Sequence, residues 1–504
     1  MFEALTQGLF VLIQVKVLGL MLVGIFLGFW VGILPGLGGA TTLALMLPFI
    51  YTMSPVEAFA FLLGMHSVVA TTGDITSILF GVPGEATTVA MILDGHAMAK
   101  RGEAGRALGA ALMSSLIGAV FGALALALSI PVVRPLVLKF GAPELFMLAI
   151  LGISFVSSLS GEGVRGLLRG VLAGLLGLLL SMIGQDPQEG ILRFTFGIPY
   201  LWDGLDIVPV LVGLFAIPEL VDLAVRGSSM GEQAPQGNLR IGVWDGVRDT
   251  FQHFWLVVRC SLIGTFIGIM PGLGGGVAQW ISYGMATQSA KDQTERSGFG
   301  KGDIRGVLGP GAACNSKEGG ALIPTIAFGV PGSSSMSILL AAFFIQGIMP
   351  GPDMLGKYLT LTFSMVWVLI IANIITVAAS LVFLNHLAKL AYVRASILIP
   401  VILFLCFIGA YTANNSMGDL IAFLAFGGVG YLMVSCGWPR APLVLAFVLG
   451  KIAENNFYIA TTRYGYSWLH RPIVLFLIVL TLVLFFYPFL RYRKKEIPEK
   501  EMAA

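Results

Sequence analysis

The feature that most constrains this chain is a series of apolar runs long enough to cross a lipid bilayer. Residues 108–130, 359–384 and 473–490 contain no charged side chain, and residues 167–183 contain only Arg169. Crossing a hydrocarbon core of about 30 Å takes about 20 helical residues. In lipid the backbone must satisfy itself, which leaves helices or closed barrels. These runs are too long and too continuously apolar for barrel strands, which alternate lipid-facing and lumen-facing residues. The chain is therefore expected to be an all-α polytopic membrane protein with about 10 to 14 membrane segments. Composition agrees: 57% of the 504 residues are hydrophobic and 11% are charged, against roughly 25% charged in soluble domains.

Several classes fall away on the same grounds. The net charge of +3 comes from basic residues scattered in loops, without the basic, aromatic-interleaved patch that nucleic acid requires. Cys260, Cys314, Cys406 and Cys436 show no metal-ligand spacing, and the five histidines are dispersed. No metal or organic cofactor is expected. Residues 9–34 lack a basic leader and read as a retained first helix. The basic stretch Arg491-Tyr-Arg-Lys-Lys495 follows the last apolar run, which places the tail in the cytoplasm.

The chain repeats itself. Gly-Ile-Leu-Pro35-Gly36-Leu37-Gly38-Gly39 returns as Gly-Ile-Met-Pro271-Gly272-Leu273-Gly274-Gly275, 236 positions on. Phe-Gly-Val-Pro83-Gly84 returns as Phe-Gly-Val-Pro331-Gly332, 248 positions on. The extra residues fall in the polar loop 291–305. A weaker echo pairs Ile183-Gly184 with Ile408-Gly409. The basic loop of the first half (Lys100, Arg101, Arg106) follows the Val-Pro-Gly motif, whereas that of the second half (291–305) follows the Pro-Gly-Leu-Gly-Gly motif. Loops that exchange their charge between halves fit inverted repeats. The expected organisation is a first half over 1–225, a polar linker over 226–248, a second half over 249–490 and a basic tail over 491–504.

Proline and glycine inside apolar runs mark the candidate site. Proline removes an amide donor and glycine weakens a helix, so each Pro-Gly motif should split a helix. Irregular backbone at membrane depth is tolerated only against protein or a wet cavity. The second half-helix then starts with free amides at the positive end of its dipole, a seat for an anion. A lone glycine in such a helix is ordinarily a packing surface; paired breaks at matching positions point to binding. This reasoning selects Gly36, Gly38, Gly39 and Thr41 in the first half and Gly272, Gly274 and Gly275 in the second. The Val-Pro-Gly motifs read as tips of re-entrant-like hairpins rich in small polar residues. They add Thr71, Thr72, Gly84 and Thr87 on one side and Asn315, Lys317, Gly332, Ser333 and Ser334 on the other. Ionisable residues inside membrane segments are functional candidates: Asp74 and Glu318 for a coupling ion, with Glu85 nearby. Asp94 and His96 read as solvated or capping groups beside a basic loop, and Arg165 and Arg169 as side chains reaching an interface.

At these motifs, with Arg193-Phe-Thr-Phe-Gly-Ile198, Asp203-Gly204 and Gly213-Leu-Phe-Ala-Ile-Pro-Glu219, the sequence resembles the large membrane subunit (TctA) of tripartite tricarboxylate transporters over nearly its whole length. It departs from that family's Pro-Glu-Ala-Ala-Asn-Asn pattern at Pro310-Gly-Ala-Ala-Cys-Asn315, which is followed by Lys317-Glu318. The resemblance implies a multi-pass protein of the bacterial inner membrane. It implies a secondary transporter rather than an enzyme, taking up di- or tricarboxylates or related organic anions with Na⁺ or H⁺ as the coupling ion. Its partners would be a small membrane subunit (TctB-like) and a periplasmic solute-binding protein (TctC-like); self-association is left open. Elevator-type alternating access follows by analogy with other inverted-hairpin transporters. The residues alone also leave room for a channel, which needs a continuous pore and a selectivity ring, and for a membrane enzyme, which needs a nucleophile–base or metal constellation that the sequence does not display.

Overall fold

The computed structural model describes every residue except 34–37, 159–162, 187, 227–238, 271–273, 391–394 and 484–504. The core of both Pro-Gly breaks, with Gly36 and Gly272, the middle of the linker and the basic tail lie outside the described residues. The first half runs α1 (Phe2–Leu12), α2 (Val15–Gly32), α3 (Gly39–Met46) with a 3-10 continuation (Leu47–Thr52), α4 (Pro55–Phe80), α5 (Val89–Met91), a π-turn (Ile92–His96), α6 (Ala97–Lys100), α7 (Ala104–Val137), α8 (Ala142–Ser158), α9 (Gly163–Ser181) and α10 (Ile207–Arg226). The second runs α11 (Val243–Gln252), α12 (Phe254–Ile269), α13 (Gly274–Gln288), α14 (Gln293–Arg296), α15 (Arg305–Phe328), α16 (Ser334–Ile345), α17 (Leu359–Leu390), α18 (Ala395–Asn414), α19 (Met417–Ser435) and α20 (Arg440–Tyr464). A further apolar helix, α21 (Pro472–Val483), follows. A two-residue β-ladder, Gly184–Gln185 with Leu192–Arg193, is the only sheet among the described residues.

The repeat is visible element by element, α1 to α10 against α11 to α20. Both long interior helices end alike, with Gly81 and Gly329 each at φ 66° in the left-handed region that glycine enters without cost. Ser54 and Glu57 start α4 with a capping box, Ser54 N donating to Glu57 Oε2 at 3.0 Å. The interrupted helices are real: α2 stops at Gly32 and α3 starts at Gly39, while α12 stops at Ile269 and α13 starts at Gly274. The extra length of the second half sits between α13 and α15, as expected. Two expectations change. Ile183 and Ile408 are not equivalent, because Gly184 lies in the β-ladder and Gly409 inside α18. The second half begins at α11, whose Val243–Gln252 helix runs through the end of the stretch read as linker.

Among the described residues seven helices are long and apolar enough to span a bilayer, and the bent pair α11–α12, at 80°, makes an eighth. The count stays below ten because the breaks cut spans into half-helices. It stays low also because α15, though 24 residues long, carries Lys317, Glu318 and several glycines. Such a helix need not be apolar when lipid never touches it: α15 is interior from Gly306 to Ala327, and α4 from Glu57 to Phe80.

The halves are inverted. His66 Nε2 meets Glu318 Oε2 at 3.0 Å, Ala70 O meets Cys314 Sγ at 4.0 Å, and Asn315 Nδ2 donates to Thr71 Oγ1 at 2.8 Å. Numbers rise along α4 as they fall along α15, so these equivalent helices cross antiparallel. With the 248-residue correspondence His66 matches Cys314 and Ala70 matches Glu318, and the contacts exchange partners. That reciprocity is the signature of a two-fold axis, here perpendicular to both helices. The loops obey it. On one face Arg101 Nη2 donates to Gly302 O at 2.6 Å, joining the two basic loops; on the other Gln346 Nε2 donates to Ile50 O at 2.6 Å, joining their counterparts (50–57 and 347–357), whose one basic residue is Lys357.

Packing relies on glycine stripes that let backbones touch. A Cβ on Gly28 would lie 2.6 Å from the Met65 carbonyl oxygen, and one on the equivalent Gly264 would lie 2.8 Å from the Ala313 Cα. Helices α1–α7 and α11–α17 form one bundle in which α7 packs on α15 and α17 on α4. A second bundle pairs α10 with α19 and α20 with α9. They meet where α3 touches α10, α16 touches α20 and the Leu47–Thr52 turn touches α18. Gly118→Leu, aimed at the Ala312 backbone carbonyl, should cost about 1–3 kcal/mol or more through overpacking. Gly19→Leu, which meets nothing within 4 Å, should be neutral; thermal melts of the two detergent-purified variants make the comparison.

Candidate functional site

Where the two bundles meet, both repeats contribute to one cavity of about 450 Å³. From the first half come Gly38, Ala40 and Thr41 at the start of α3, and Val82, Pro83, Gly84, Glu85 and Thr87 at the first hairpin tip. From the second come Gly275 at the start of α13, Lys317 of α15, and Ser333, Ser334 and Ser335 at the second tip. The other bundle closes it with Phe215, Glu219 and Asp222 of α10 and Arg440 of α20. Each tip is fixed by a glycine that presses on the backbone of its own repeat. A Cβ on Gly84 would lie 3.2 Å from the Gly32 carbonyl oxygen, and one on Gly332 2.6 Å from the equivalent Gly268 carbonyl oxygen. The same close approach thus brings each tip to the end of its interrupted helix.

Charges beneath the cavity are linked in a chain. Glu318, 3% exposed, receives Lys317 Nζ on Oε1 at 2.8 Å and His66 on Oε2 at 3.0 Å. Lys317 presses on Gly275 so closely that a Cβ there would overlap its ammonium, and His66 does the same to Gly39, at 2.7 Å. One carboxylate therefore ties together the groups lying under both half-helix starts. Burying such charges costs several kcal/mol per ion unless they are paired, and here they are. At the rim Arg440 Nη2 reaches Glu219 Oε1 at 3.0 Å while its guanidinium stacks over Phe215 at 4.8 Å. Deeper in, Asp74 is 1% exposed, and neither of its carboxylate oxygens has a hydrogen-bond partner among the described residues. The Gln279 amide lies beside it, its nitrogen and oxygen equally unpartnered, and its charged neighbours are Glu85 and Lys317.

The sequence-selected residues divide. Gly38, Thr41, Gly84, Thr87, Gly275, Lys317, Ser333 and Ser334 line the cavity, Gly39 lies just behind it, and Gly274 opens α13. Thr71, Thr72 and Asn315 are elsewhere. Thr72 Oγ1 bonds to its own helix at Val68 O, and Asn315 Nδ2 joins Thr71, Ser115 and Asn373 in a buried cluster locking four helices. Polar residues of a helix that never meets lipid serve its neighbours as readily as a ligand. Asp94 is not solvated: it is fully buried and accepts from Tyr283 OH, Gly302 N and Asp303 N at 2.9, 2.7 and 2.9 Å. It ties the first hairpin to the basic loop of the other half. Gln279 closely follows the second Pro-Gly motif, where sequence reasoning also reaches it; Arg440 and Asp222 escaped that reasoning, since they lie outside both repeated motifs. A cavity of about 490 Å³ at Tyr200, Asp206, Asp419 and Lys451 draws on neither break nor tip.

Residues 18–445 match the family model of the tripartite tricarboxylate transporter TctA family. The chain belongs to the tripartite tricarboxylate transporter TctA family. It is 32% identical over 435 residues, 86% of this chain and 85% of the relative, to an uncharacterized 52.8 kDa protein in the TAR-I ttuC′ 3′ region of Agrobacterium vitis. A second relative, from the TAR-II ttuC′ 3′ region of the same organism, is 33% identical over 193 residues, 38% of this chain and 78% of the relative. No solved structure matches. Family membership makes the chain a multi-pass membrane subunit of a tripartite tricarboxylate transporter.

Glu318→Gln should strand the Lys317 ammonium and lower stability by about 3–5 kcal/mol, the usual cost of removing one partner of a buried pair. Lys317→Met combined with Glu318→Leu should lose much less. Denaturant titration of the purified variants in one detergent measures both.

Proposed function

We propose that this TctA-family subunit carries a small organic anion, a di- or tricarboxylate or a related acid, across the bacterial inner membrane, and that the cavity between the bundles is its binding site. The observation that carries the reading is the convergence of equivalent pieces of both inverted halves, two half-helix starts and two hairpin tips, on one chamber. Half-helix N-termini offer aligned amides to a carboxylate, and Ser333, Ser334, Thr41 and Thr87 add hydroxyl donors. Lys317 supplies a cation that its Glu318 partner holds in place. The face bearing Arg101, Lys301 and Arg305 is assigned to the cytoplasm on the positive-inside rule. That puts Gln346 and Ile50 toward the periplasm, where a TctC-like binding protein would deliver substrate, with a TctB-like subunit completing the complex.

The coupling cation is assigned to Asp74 and Gln279. The Asp74 carboxylate, beside the Gln279 amide, and the Gln279 amide oxygen are buried acceptors that a bound Na⁺, or a proton on Asp74, would satisfy. By the 236- and 248-residue correspondences their counterparts are Leu43 and Leu322, so this polar pocket occurs once. Glu318 is less available, being shared between Lys317 and His66. A site walled by two bundles suits alternating access in which one slides past the other. At the seam the Pro48 ring packs directly on Gly409, where a Cβ would lie 2.6 Å from Pro48 Cγ.

Proteoliposomes carrying this subunit, its partners and an imposed Na⁺ or H⁺ gradient should accumulate a labelled carboxylate. Gly39→Leu and Gly275→Leu, which drive a side chain into His66 and Lys317, should abolish uptake while membrane insertion persists. Asp74→Asn should uncouple uptake from the cation gradient. Full uptake by both glycine variants, or flux that neither saturates nor follows a gradient, would rule out the assigned site and mechanism respectively.

A further inference from the structure

The two half-helix starts in the cavity are equivalent by symmetry but not in what faces them. At the first, Glu85 Oε1 accepts from Gly39 N at 3.3 Å, and its Cγ lies where a Cβ on Gly38 would be 3.2 Å away. Thr87 Oγ1 donates to the other carboxylate oxygen at 3.1 Å. The position equivalent to Glu85, 248 residues on, is Ser333. Ser333 does not reach across: its side chain accepts from Met336 N at 3.3 Å and caps its own helix α16. Among the described residues no side chain accepts from the amides at the start of α13; Gly275 and Ser334 line the cavity, and the buried Lys317 lies against Gly275. The chain thus supplies its own carboxylate to one of its two anion seats.

We infer that Glu85 is a tethered occupant of the Gly39 seat and the residue that sets how many carboxylates a substrate can place in the site. Within the organic anions proposed above, and resting on that reading, one seat remains open. The protein should then take acids that bring a single carboxylate in preference to analogues that bring two. Electrostatics point the same way. The lining holds Glu85, Glu219 and Asp222 against Lys317 and Arg440, and Arg440 is engaged by Glu219 at 3.0 Å. A second substrate carboxylate would enter beside Glu85 with no further basic side chain among the described lining residues to meet it, and like charges at contact distance in a poorly solvated site repel strongly. Replacing Glu85 by the residue that the other repeat uses empties the seat, frees the Gly39 amide and removes the repulsion.

The test is direct binding to full-length protein in nanodiscs at saturating Na⁺, using 3-hydroxybutyrate and malate, which differ by a methyl in place of a carboxylate. Wild type should bind 3-hydroxybutyrate more tightly. Glu85→Ser should shift the ratio of the two affinities toward malate by about tenfold or more, the scale of one hydrogen bond to a charged group. Ser333→Glu, which places a carboxylate at the open seat as well, should weaken 3-hydroxybutyrate binding by a similar factor and serves if Glu85→Ser does not fold. A wild-type preference for malate, or a ratio that Glu85→Ser leaves unchanged while both acids still bind, overturns the role of Glu85 alone. Failure of both acids to bind wild type and both variants overturns the carboxylate site itself.

Discussion

At the centre of the protein α4 and α15 cross antiparallel, and the Glu318 carboxylate has to be satisfied at that crossing. It is deeply buried, and its partners come from both helices: Lys317 from its own and His66 from the other. An unpaired carboxylate at this depth would cost several kcal/mol, so the crossing is fixed by an electrostatic requirement as well as by shape. The glycine stripes of α2 and α12 then hold an interrupted helix against each member of the pair. The hairpin tips fold back onto the ends of those interrupted helices. The cavity follows from the crossing, because the two breaks meet only if α4 and α15 do.

The fold is symmetric and its chemistry is not. Under the correspondence of the halves, His66 answers to Cys314, Glu318 to Ala70, Lys317 to Val69, Asp74 to Leu322 and Glu85 to Ser333. Every polar group that distinguishes the floor of the cavity occurs in one half only, while the capping glycines, tip glycines and packing stripes occur in both. Backbone geometry is a demand the bilayer makes equally on each half, so it is duplicated. A solute and a coupling ion each need one set of contacts, and a duplicated charge would bury a second ion without a partner.

The split between what was legible in the sequence and what was not follows the same line. Membrane class, duplication, inversion and the helix breaks were readable because they depend on proline, glycine, apolar length and loop charge, whose effects are local or statistical. Residues that adjoin a break or a tip, such as Gly38, Gly275, Lys317, Ser333 and Ser334, could be grouped from the sequence, and they line one cavity. Thr71, Thr72 and Asn315 misled because a weakly apolar helix can be interior instead of cavity-lining, and only the packing of α7 and α17 around it decides between the two. Asp94 misled in the opposite direction: its partners Tyr283, Gly302 and Asp303 lie some two hundred residues away. Arg440 and Asp222 carry no local mark.

Asp94 and Glu318 together constrain how such a molecule can move. Asp94 pins the first hairpin to the loop between α13 and α15, and Glu318 pins α4 to α15; both bonds lie within one bundle and neither reaches α8–α10 or α18–α20. The contacts that do join the bundles are of another kind. They include the packing of α3 on α10 and of α16 on α20, the Pro48–Gly409 approach, and an exposed hydrogen bond from Tyr51 OH to Asp206 at 3.3 Å, while Arg440 is held within its own bundle by Glu219. Sliding one bundle past the other would break no buried ion pair among those described, whereas separating the two repeats of the central bundle would expose Glu318, Lys317 and Asp94 at once. In the alternating access proposed above, the displacement that keeps these buried pairs intact is one that carries both tips as a unit against the partner bundle.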